Sequence, residues 1–428
     1  MAAGSGAELR EPLLGGRGAG GSAEAAPSGF LAEGTVSASV VLLCAAAIGT
    51  GVLALPYGVS CVGVVPAMFL FGLAGAAAYA SNIILFRCAR KTGQGSYGEL
   101  MTGILGRHGA MVLDGFVCVE GLGAVATYLV FIMDYVPQVC DLGGEDLWCH
   151  DRTNVVMAAS LLIWPLSCMR GLSGLRYTST CSILTVLFTS TVVILKAPGC
   201  FARTGHDIAD VLADIRVGPD AFQVLSMACF AFMAHTNTPE IALQLTNPTR
   251  GRFAQVVGLH TGLLWAVYCA IAVCGYISFI GGTHQDFLTN YDVRDAAVVL
   301  CRCLLSSTLV FACPINIFPA MQSLFNILEG FRDAPKGQRY VPLYEMDSVR
   351  VPVNTAAFAL ALGVAMRTPH VADLISVICA FFTSPLMFAF PAFMYWRILG
   401  RKDILMPACL LTLTAALWVA ELLRLFSS

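Results

Sequence analysis

The feature that most constrains this chain is the recurrence of apolar segments long enough to cross a lipid bilayer. A helical span needs about 20 consecutive, mostly apolar residues. Of the 428 residues, 57% are hydrophobic and only 12% are charged, and a soluble core could not bury that much apolar surface. The sequence therefore predicts an all-α polytopic membrane protein, built as one domain with short connections.

The chain contains eleven such segments. They lie at residues 37–60, 64–86, 112–136, 153–169, 178–198, 221–245, 254–281, 297–327, 351–367, 371–396 and 404–425. We group spans one to five as 37–198, spans six to ten as 221–396, and treat 404–425 as an added helix, so that the transmembrane domain covers 37–426. Residues 1–36, rich in Gly, Ala, Ser and Glu, are predicted to form a disordered cytoplasmic tail.

Charge divides the loops into two classes. If the N-terminus is cytoplasmic, most of the 25 lysines and arginines fall on the cytoplasmic side, whereas the loops at 141–151 and 206–220 on the other face are acidic. Basic residues accumulate in cytoplasmic loops, so eleven spans with a cytoplasmic N-terminus fit the pattern. Cys140 and Cys149 flank the first acidic loop on the oxidising face, where a disulfide can form; Cys200 is a competing partner.

The first span is interrupted. It contains AAAIGTGVLALPYG, residues 45–58, with two glycines, a threonine and a proline within the eight positions 49–56 of an apolar stretch. A broken backbone in the bilayer is tolerated only where protein or water satisfies its polar groups. A helix that resumes after a break directs its first N–H groups into the gap, where they suit a carboxylate. Close packing of small residues is the alternative interpretation of this string.

The sixth span carries a second interruption. FAFMAHTNTPEIALQL, residues 230–245, has six consecutive polar or helix-breaking residues from His235 to Glu240. Spans one and six occupy corresponding positions in a protein made of two five-span halves plus one helix. Such a pairing is typical of secondary transporters built from inverted repeats, whose site lies near the midplane between broken helices.

Five strings together resemble one family. They are SVVLLCAAAIGTGVLALPYG (39–58), GAVATYLVFIMDYVPQ (123–138), CFAFMAHTNTPEIALQLTNPTRGRF (229–253), FACPINIFPAMQSL (311–324) and SVICAFFTSPLMFAFPAFMYW (376–396). In this order they resemble the amino acid/auxin permease family, and within it the branch of vacuolar and sodium-coupled neutral amino acid transporters. The resemblance implies a leucine-transporter-like fold, a 5+5 inverted repeat plus one helix, that moves amino acids by alternating access.

The resemblance also implies a set of substrate-binding residues. The α-carboxylate is expected at the unwound backbone of the first break, the α-amino group at carbonyls of both breaks, and the side chain beside the sixth span. The implied residues are Ile48, Gly49, Thr50, Gly51, Phe230, Ala234, His235 and Asn237. A pocket formed by these residues is uncharged and narrow, which indicates small or medium neutral amino acids as substrates.

The coupling ion is predicted to be H⁺ rather than Na⁺. Sodium-coupled members of the family have a polar residue where this chain has Ala45 and another where it has Ala312, so oxygen ligands are missing at both places. Ser306, Ser307 and Thr308 offer hydroxyls one turn earlier, so sodium coupling stays open.

Three residues are candidates for carrying the proton: Glu120 in the third span, and His235 and Glu240 at the second break. Ionisable residues at such depth are costly and tend to be functional, although gating or a structural ion pair is the alternative for the two glutamates. Arg302, near the outer end of the eighth span, is expected to snorkel toward the interface.

The pattern excludes several other classes of protein. No nucleophile elbow, paired intramembrane aspartates, metal-ligand spacing or phosphate-binding loop occurs in the sequence, so we expect no enzyme, no metal, no cofactor and no nucleic acid, and see no obligatory protein partner. An amino acid sensor using the same pocket is the alternative to a transporter. LREPLL, residues 9–14, resembles a dileucine sorting signal with Leu9 in place of the acid, so the plasma membrane and a vacuolar or endolysosomal membrane both stay open.

Overall fold

A computed structural model describes residues 32, 34–143, 147–169, 178–216, 218–332, 341–400 and 404–427. Of the predicted tail, residues 1–31 and 33 lie outside this description. The helices are α1 (Val36–Ala47), α2 (Leu55–Val62), α3 (Val64–Thr92), α4 (Tyr97–Cys140), α5 (Arg152–Ser167), α6 (Thr178–Thr204), α7 (Ile208–Ala213), α8 (Asp220–Ala231), α9 (Thr238–Gln244), α10 (Arg250–Ile277), α11 (Ala296–Gly330), α12 (Asp347–Arg367), α13 (Val371–Ile378), α14 (Phe390–Met394) and α15 (Leu405–Ser427).

The prediction of an all-helical, multi-pass membrane protein is confirmed. In the described part of the chain, eight helices are long and apolar enough to cross a membrane, and the bent pair α1–α2 makes a ninth. The other two predicted spans are α5, whose 16 residues extend about 24 Å, and the interrupted pair α8–α9. The compartment that each end faces stays a prediction.

Both interrupted spans are broken in the same manner. The chain bends by 60° between α1 and α2, where Ile48 and Gly49 are extended and Thr50–Ala54 form a single 3₁₀ turn. Residues 232–237 separate α8 from α9. Each resumed helix has a proline in its first turn, Pro56 in α2 and Pro239 in α9, where the missing N–H breaks no helical hydrogen bond. The breaks therefore lie in the first and sixth apolar segments.

Three long helices surround these breaks. α10 packs against α1, α2 and α3, while α3 also contacts α8 and α9. α4 packs against α5, α11, α12 and α13. The segment after α13 contains π-helical turns at Cys379–Thr383, Pro385–Ala389 and Tyr395–Leu399, a geometry that is frequent at functional sites.

The loops at the C-terminal end of α4 are tied down covalently and by a buried cation. A disulfide joins Cys140 to Cys149. Arg302 does not snorkel, so that expectation is wrong: its side chain is fully buried and donates to the carbonyl oxygens of Leu288 at 2.9 Å and Tyr291 at 2.8 Å. The loop between α10 and α11 folds over it and supplies those carbonyls, which a sequence cannot reveal.

The turn between α2 and α3 depends on a glycine. Gly63 has φ 90° and ψ 168°, and a Cβ at this position would lie 1.9 Å from the carbonyl oxygen of Asp214. Arg216, two residues after Asp214, holds the same loop in place. Its backbone N–H donates to the carbonyl of Val62 at 2.9 Å, and its guanidinium donates to the carbonyl of Ser60 at 3.0 Å. Arg216 thereby fastens the connection before α8 to the end of the first broken span.

We therefore expect Gly63→Ala to destabilise the protein. The backbone conformation alone costs an alanine about 1–3 kcal/mol, and the contact with Asp214 adds to this cost. Thermal unfolding in detergent should show a lower midpoint for Gly63→Ala, whereas Gly115→Ala, where a Cβ meets nothing within 4 Å, should leave it unchanged. Equal midpoints for the two variants would contradict the assignment of a strained turn.

Candidate substrate site

The two breaks meet in the structure. A Cβ built on Gly51 would lie 3.0 Å from Cδ1 of Phe230 and 3.4 Å from Cα of Ala231. Gly51 is buried and Phe230 is half-buried. The first break therefore has a glycine where the backbone of the sixth segment approaches it, and the tertiary structure brings together two strings that lie about 180 residues apart.

One tyrosine lies at the ends of both interrupted helices. The buried hydroxyl of Tyr268, in α10, donates to the carbonyl oxygen of Ala231 at 2.7 Å and lies 3.4 Å from that of Ala47. Ala231 and Ala47 are the last residues of α8 and α1. Since the carbonyls in the last turn of a helix have no intrahelical partner, Tyr268 satisfies exposed backbone at the point where the breaks meet. Sequence reasoning missed this residue.

A second tyrosine points its hydroxyl at the first break. The hydroxyl oxygen of Tyr128, in α4, lies 3.7 Å from a Cβ built on Gly49, and it accepts from the amide of Asn316 in α11 at 3.4 Å. The Asn316 amide also donates to the carbonyl of Ala312 at 3.0 Å. Both residues lie within strings quoted for the family resemblance, but neither was selected, because nothing in the sequence indicates which face of α4 or α11 meets the break.

The second break is held by two neighbouring polar residues of α3. Ser81 Oγ lies 2.6 Å from Nε2 of His235 and 3.0 Å from the carbonyl oxygen of Ala77. The hydroxyl of Thr238 donates to Oδ1 of Asn82 at 2.5 Å. All four side chains are fully buried, so His235 fixes the break to α3, and its Nδ1 has no partner among the described residues.

The remaining predicted binding residues differ in how exposed they are. Ile48 and Gly49 are half-buried at the first break, Ala234 is buried, and the side chain of Thr50 is outside the description. Asn237 is exposed, and so is Glu240, whose carboxylate accepts from the amide of Gln244 at 3.0 Å. The structure thus brings Gly51 and Phe230 together, keeps Gly49 beside Tyr128 and Ala234 buried within the second break, and leaves Asn237 and Glu240 on the surface.

Glu120 lies close to both breaks. It is half-buried, and among the described residues it makes no hydrogen bond or ion pair. It interacts electrostatically with Tyr128, whose hydroxyl faces Gly49, and with Cys379, which also contacts the backbone of Phe230. Of the three proton candidates it is the one with a carboxylate near the meeting point and no partner.

The three hydroxyls proposed for an ion point in different directions. Ser306 is buried and its Oγ has no partner in the described part of the chain. Ser307 is exposed and donates to the carbonyl of Cys303, and Thr308 donates to that of Leu304. Consecutive residues of a helix are about 100° apart, so these hydroxyls do not converge. Among the residues the structure describes, no group of His, Cys, Asp or Glu could hold a metal ion.

Comparison with known proteins decides the family. The profile described as "Transmembrane amino acid transporter protein" matches residues 32–421, which includes both breaks and all eleven segments except the end of the last. This chain belongs to the transmembrane amino acid transporter family. The resemblance inferred from the five strings is thereby confirmed.

Two relatives of this transporter family member illustrate its range. AAT1 of Toxoplasma gondii, a candidate amino acid transporter, is 30% identical over 313 residues, covering 72% of this chain and 42% of its own length. Sodium-coupled neutral amino acid transporter 7 of Danio rerio is 24% identical over 358 residues, covering 79% of this chain and 74% of its own. The chain therefore spans less than half the length of the Toxoplasma protein.

The contact between Gly51 and Phe230 gives a first test of the site in this family member. Gly51→Val would place its Cβ at 3.0 Å from Phe230 and two methyl groups beyond it, and overpacking of this kind costs about 1–3 kcal/mol. We expect loss of amino acid uptake with the protein still present in the membrane. Gly115→Val, at an open position of α4, is the matched control, and undiminished uptake by Gly51→Val would show that the break is not the site.

The hydrogen bond from Thr238 to Asn82, which holds the second break against α3, gives another test. Thr238→Val keeps the shape of the side chain but leaves Oδ1 of Asn82 buried without its donor, which costs about 1–3 kcal/mol. We expect a lower unfolding midpoint and a reduced maximal uptake rate. Thr238→Ser retains the hydroxyl and should behave like the wild type in both assays; if Thr238→Val does so too, the hydrogen bond does not hold the break.

Proposed function

We propose that this protein is a secondary active transporter that moves neutral amino acids across a membrane by alternating access, coupled to protons. The observation that supports this most strongly is the meeting of two broken helices around Gly51 and Phe230, since substrate sites of transporters with broken helices form where half-helices face each other. The family supplies amino acids as the class of substrate.

The two ends of an amino acid have complementary partners here. The 3₁₀ turn at Thr50–Ala54 and α2 begin at the first break, so their first N–H groups and positive dipole end suit the α-carboxylate. The hydroxyl of Tyr128 is placed to donate to the same group. The carbonyl ends of α1 and α8, which meet at Tyr268, suit the ammonium group.

The residues at the meeting point favour a neutral substrate side chain. Phe230 and Ala234 are apolar, and Glu120, which can carry a negative charge, interacts electrostatically with Tyr128 and Cys379 beside them. A cationic substrate would compete with the proton for that carboxylate, whereas an anionic one would be repelled by it. A neutral side chain leaves Glu120 free to carry the coupling proton.

Sodium coupling is the second candidate, because the Danio rerio relative is named as sodium-coupled. Ser306 offers a buried hydroxyl without a partner, and carbonyls of unwound backbone can serve as ligands for Na⁺. Against it, Ser307 and Thr308 are engaged with their own helix, and Ala45 and Ala312 offer no side-chain oxygen.

The decisive measurement is uptake of labelled neutral amino acids into proteoliposomes of the purified protein under an imposed gradient. An inward proton gradient without sodium should drive accumulation, and an inward sodium gradient at equal pH should not. Glu120→Gln should abolish the pH-driven accumulation while exchange of substrate across the membrane continues, because the carboxylate is needed for the proton and not for the amino acid.

The exposed Glu240 provides the matched control for this variant. Glu240→Gln removes an equal charge from a side chain whose hydrogen-bond partner among the described residues is Gln244, and this variant should accumulate substrate as the wild type does. Accumulation driven by sodium alone would overturn proton coupling, and saturable binding without flux would favour a sensor.

A further inference from the structure

A cavity of about 590 Å³ lies at the end of α4 that carries the disulfide. Its wall includes Tyr57 of α2, Asp134 and Gln138 of α4, and the loop residues His284 and Asp286. Since Tyr57 belongs to α2, the helix that resumes after the first break, the cavity borders the resumed half of the first span. Neither the sequence nor the family relationship assigned a role to it.

The loop that borders the cavity reaches the first break. Its helical turn at Phe287–Asn290, which we call the outer turn, contacts the 3₁₀ turn at Thr50–Ala54 and α4. Phe287 is fully buried, and a Cβ on Gly275 would touch both Phe287 and Pro56. The outer turn therefore sits directly on the resumed half of the first span.

Asp286 immediately precedes the outer turn and is unusual in its burial. Only 5% of its surface is exposed. Oδ1 accepts from the hydroxyl of Tyr135 at 2.8 Å, whereas Oδ2 is buried and has no partner among the described residues. A buried carboxylate normally requires a full set of donors or a close cation, and no nitrogen of Arg302 comes within 4 Å of this carboxylate in the structure described.

The position of Tyr135 links this carboxyl to the substrate site. Tyr128 and Tyr135 are seven residues apart in α4, so they lie on the same face, separated by about 10 Å along the axis. The hydroxyl of Tyr128 faces Gly49 and that of Tyr135 binds Asp286. Tyr135, which holds Asp286, thus lies about two helical turns from Tyr128 on the same face of α4.

We propose that Asp286 is a proton-binding site at the mouth of the transport path, and that its proton keeps the outer turn seated on the first break. When the carboxyl is protonated, the loop buries no net charge at this position. When the carboxyl is ionised, Oδ2 needs water as a hydrogen-bond donor. Moving Asp286 into the cavity then lowers the free energy of the loop, because the carboxylate becomes solvated. A proton from the compartment that the cavity faces would therefore favour the seated arrangement.

The groups around Asp286 act on its proton affinity in both directions. Burial raises the pKa of Asp286 well above its ordinary value, and the charge of Asp134 acts in the same direction, whereas the Tyr135 hydroxyl, the Leu288 N–H and the charge of Arg302 lower it. Further titratable or charged groups face the cavity from the other elements, namely Tyr57, Arg152, His284 and His370. Arg152 is paired with Asp134 at 2.6 Å, so that the positive charge of Arg152 is already compensated.

The first test needs no transport. A carboxyl whose pKa is raised on folding binds a proton in the folded state that the unfolded state has lost, so stability falls as pH rises from the ordinary aspartate value through the folded value. Unfolding midpoints of Asp286→Asn and wild type should therefore converge at low pH and diverge as pH rises, with the wild type falling below the variant. Asp292→Asn, an exposed carboxyl on the same loop, should follow the wild type at every pH. A constant offset between Asp286→Asn and wild type would overturn the proposal.

The second test measures the consequence for transport, which rests on the proposed amino acid transport. In the Glu120→Gln background, where the coupling carboxyl is absent, the rate of substrate exchange at low substrate should change about tenfold per pH unit on the alkaline side of the Asp286 pKa. Adding Asp286→Asn should remove that dependence, whereas adding Asp292→Asn should keep it. Tyr135→Phe removes a donor to the ionised form and should shift the profile to higher pH. An unaltered profile in Asp286→Asn would overturn the coupling of this proton to the outer turn. If the wild type shows no uptake, the proposed function fails, and the unfolding experiment still decides whether Asp286 binds the proton.

Discussion

Two interrupted helices in an apolar medium leave backbone carbonyl and amide groups that must find partners, and this requirement organises the centre of the protein. Each such group costs several kcal/mol if it stays unsatisfied in the bilayer. The hydroxyl of Tyr268 lies at the carbonyl ends of both α1 and α8. Since one side chain serves both ends, the two breaks lie beside each other, and the amino acid site that we propose lies between them.

The supports of the two breaks come from different helices. α3 supplies Ser81 and Asn82 to the second break through His235 and Thr238, whereas α4 supplies Tyr128 to the first. α3 contacts α2, α8 and α9, and α10 contacts α1 and α2 and reaches the end of α8 through Tyr268. α4 instead has Tyr128 at the first break and Tyr135 at Asp286 of the outer loop. One face of α4 therefore touches both the first break and this loop.

Two buried charged side chains of the described residues illustrate how charge is accommodated in this protein. Arg302 is solvated by two loop carbonyls. Glu421 in α15 accepts from Arg424 and from Ser376, and Arg424 also binds Asp373, which ties the last helix to α13. Against this background two carboxyls differ: Glu120 has no hydrogen bond or ion pair among the described residues, and Oδ2 of Asp286 has no partner there. For this reason both carboxyls carry the proposals on proton binding made above.

The sequence by itself determined the class of protein, the apolar segments and the two places where helices are interrupted, because hydropathy and the residues Gly, Pro, Asn and Thr act over a few neighbours along the chain. It also determined the family, since GTGVLALP and FAFMAHTN are local strings. Because these signals are local, the sequence indicated that spans one and six correspond to each other, but it did not show that Gly51 contacts Phe230.

The tertiary structure alone decided which side chains serve the breaks. A helix presents a different face every 100°, so the sequence could not tell that Tyr128 faces the first break, that Tyr135 binds Asp286, that Glu240 is exposed, or that Arg302 lies beneath a loop. Those properties depend on how helices far apart in the chain are rotated against each other. Rotation is set by the sum of packing over many residues, and no short stretch of sequence contains it.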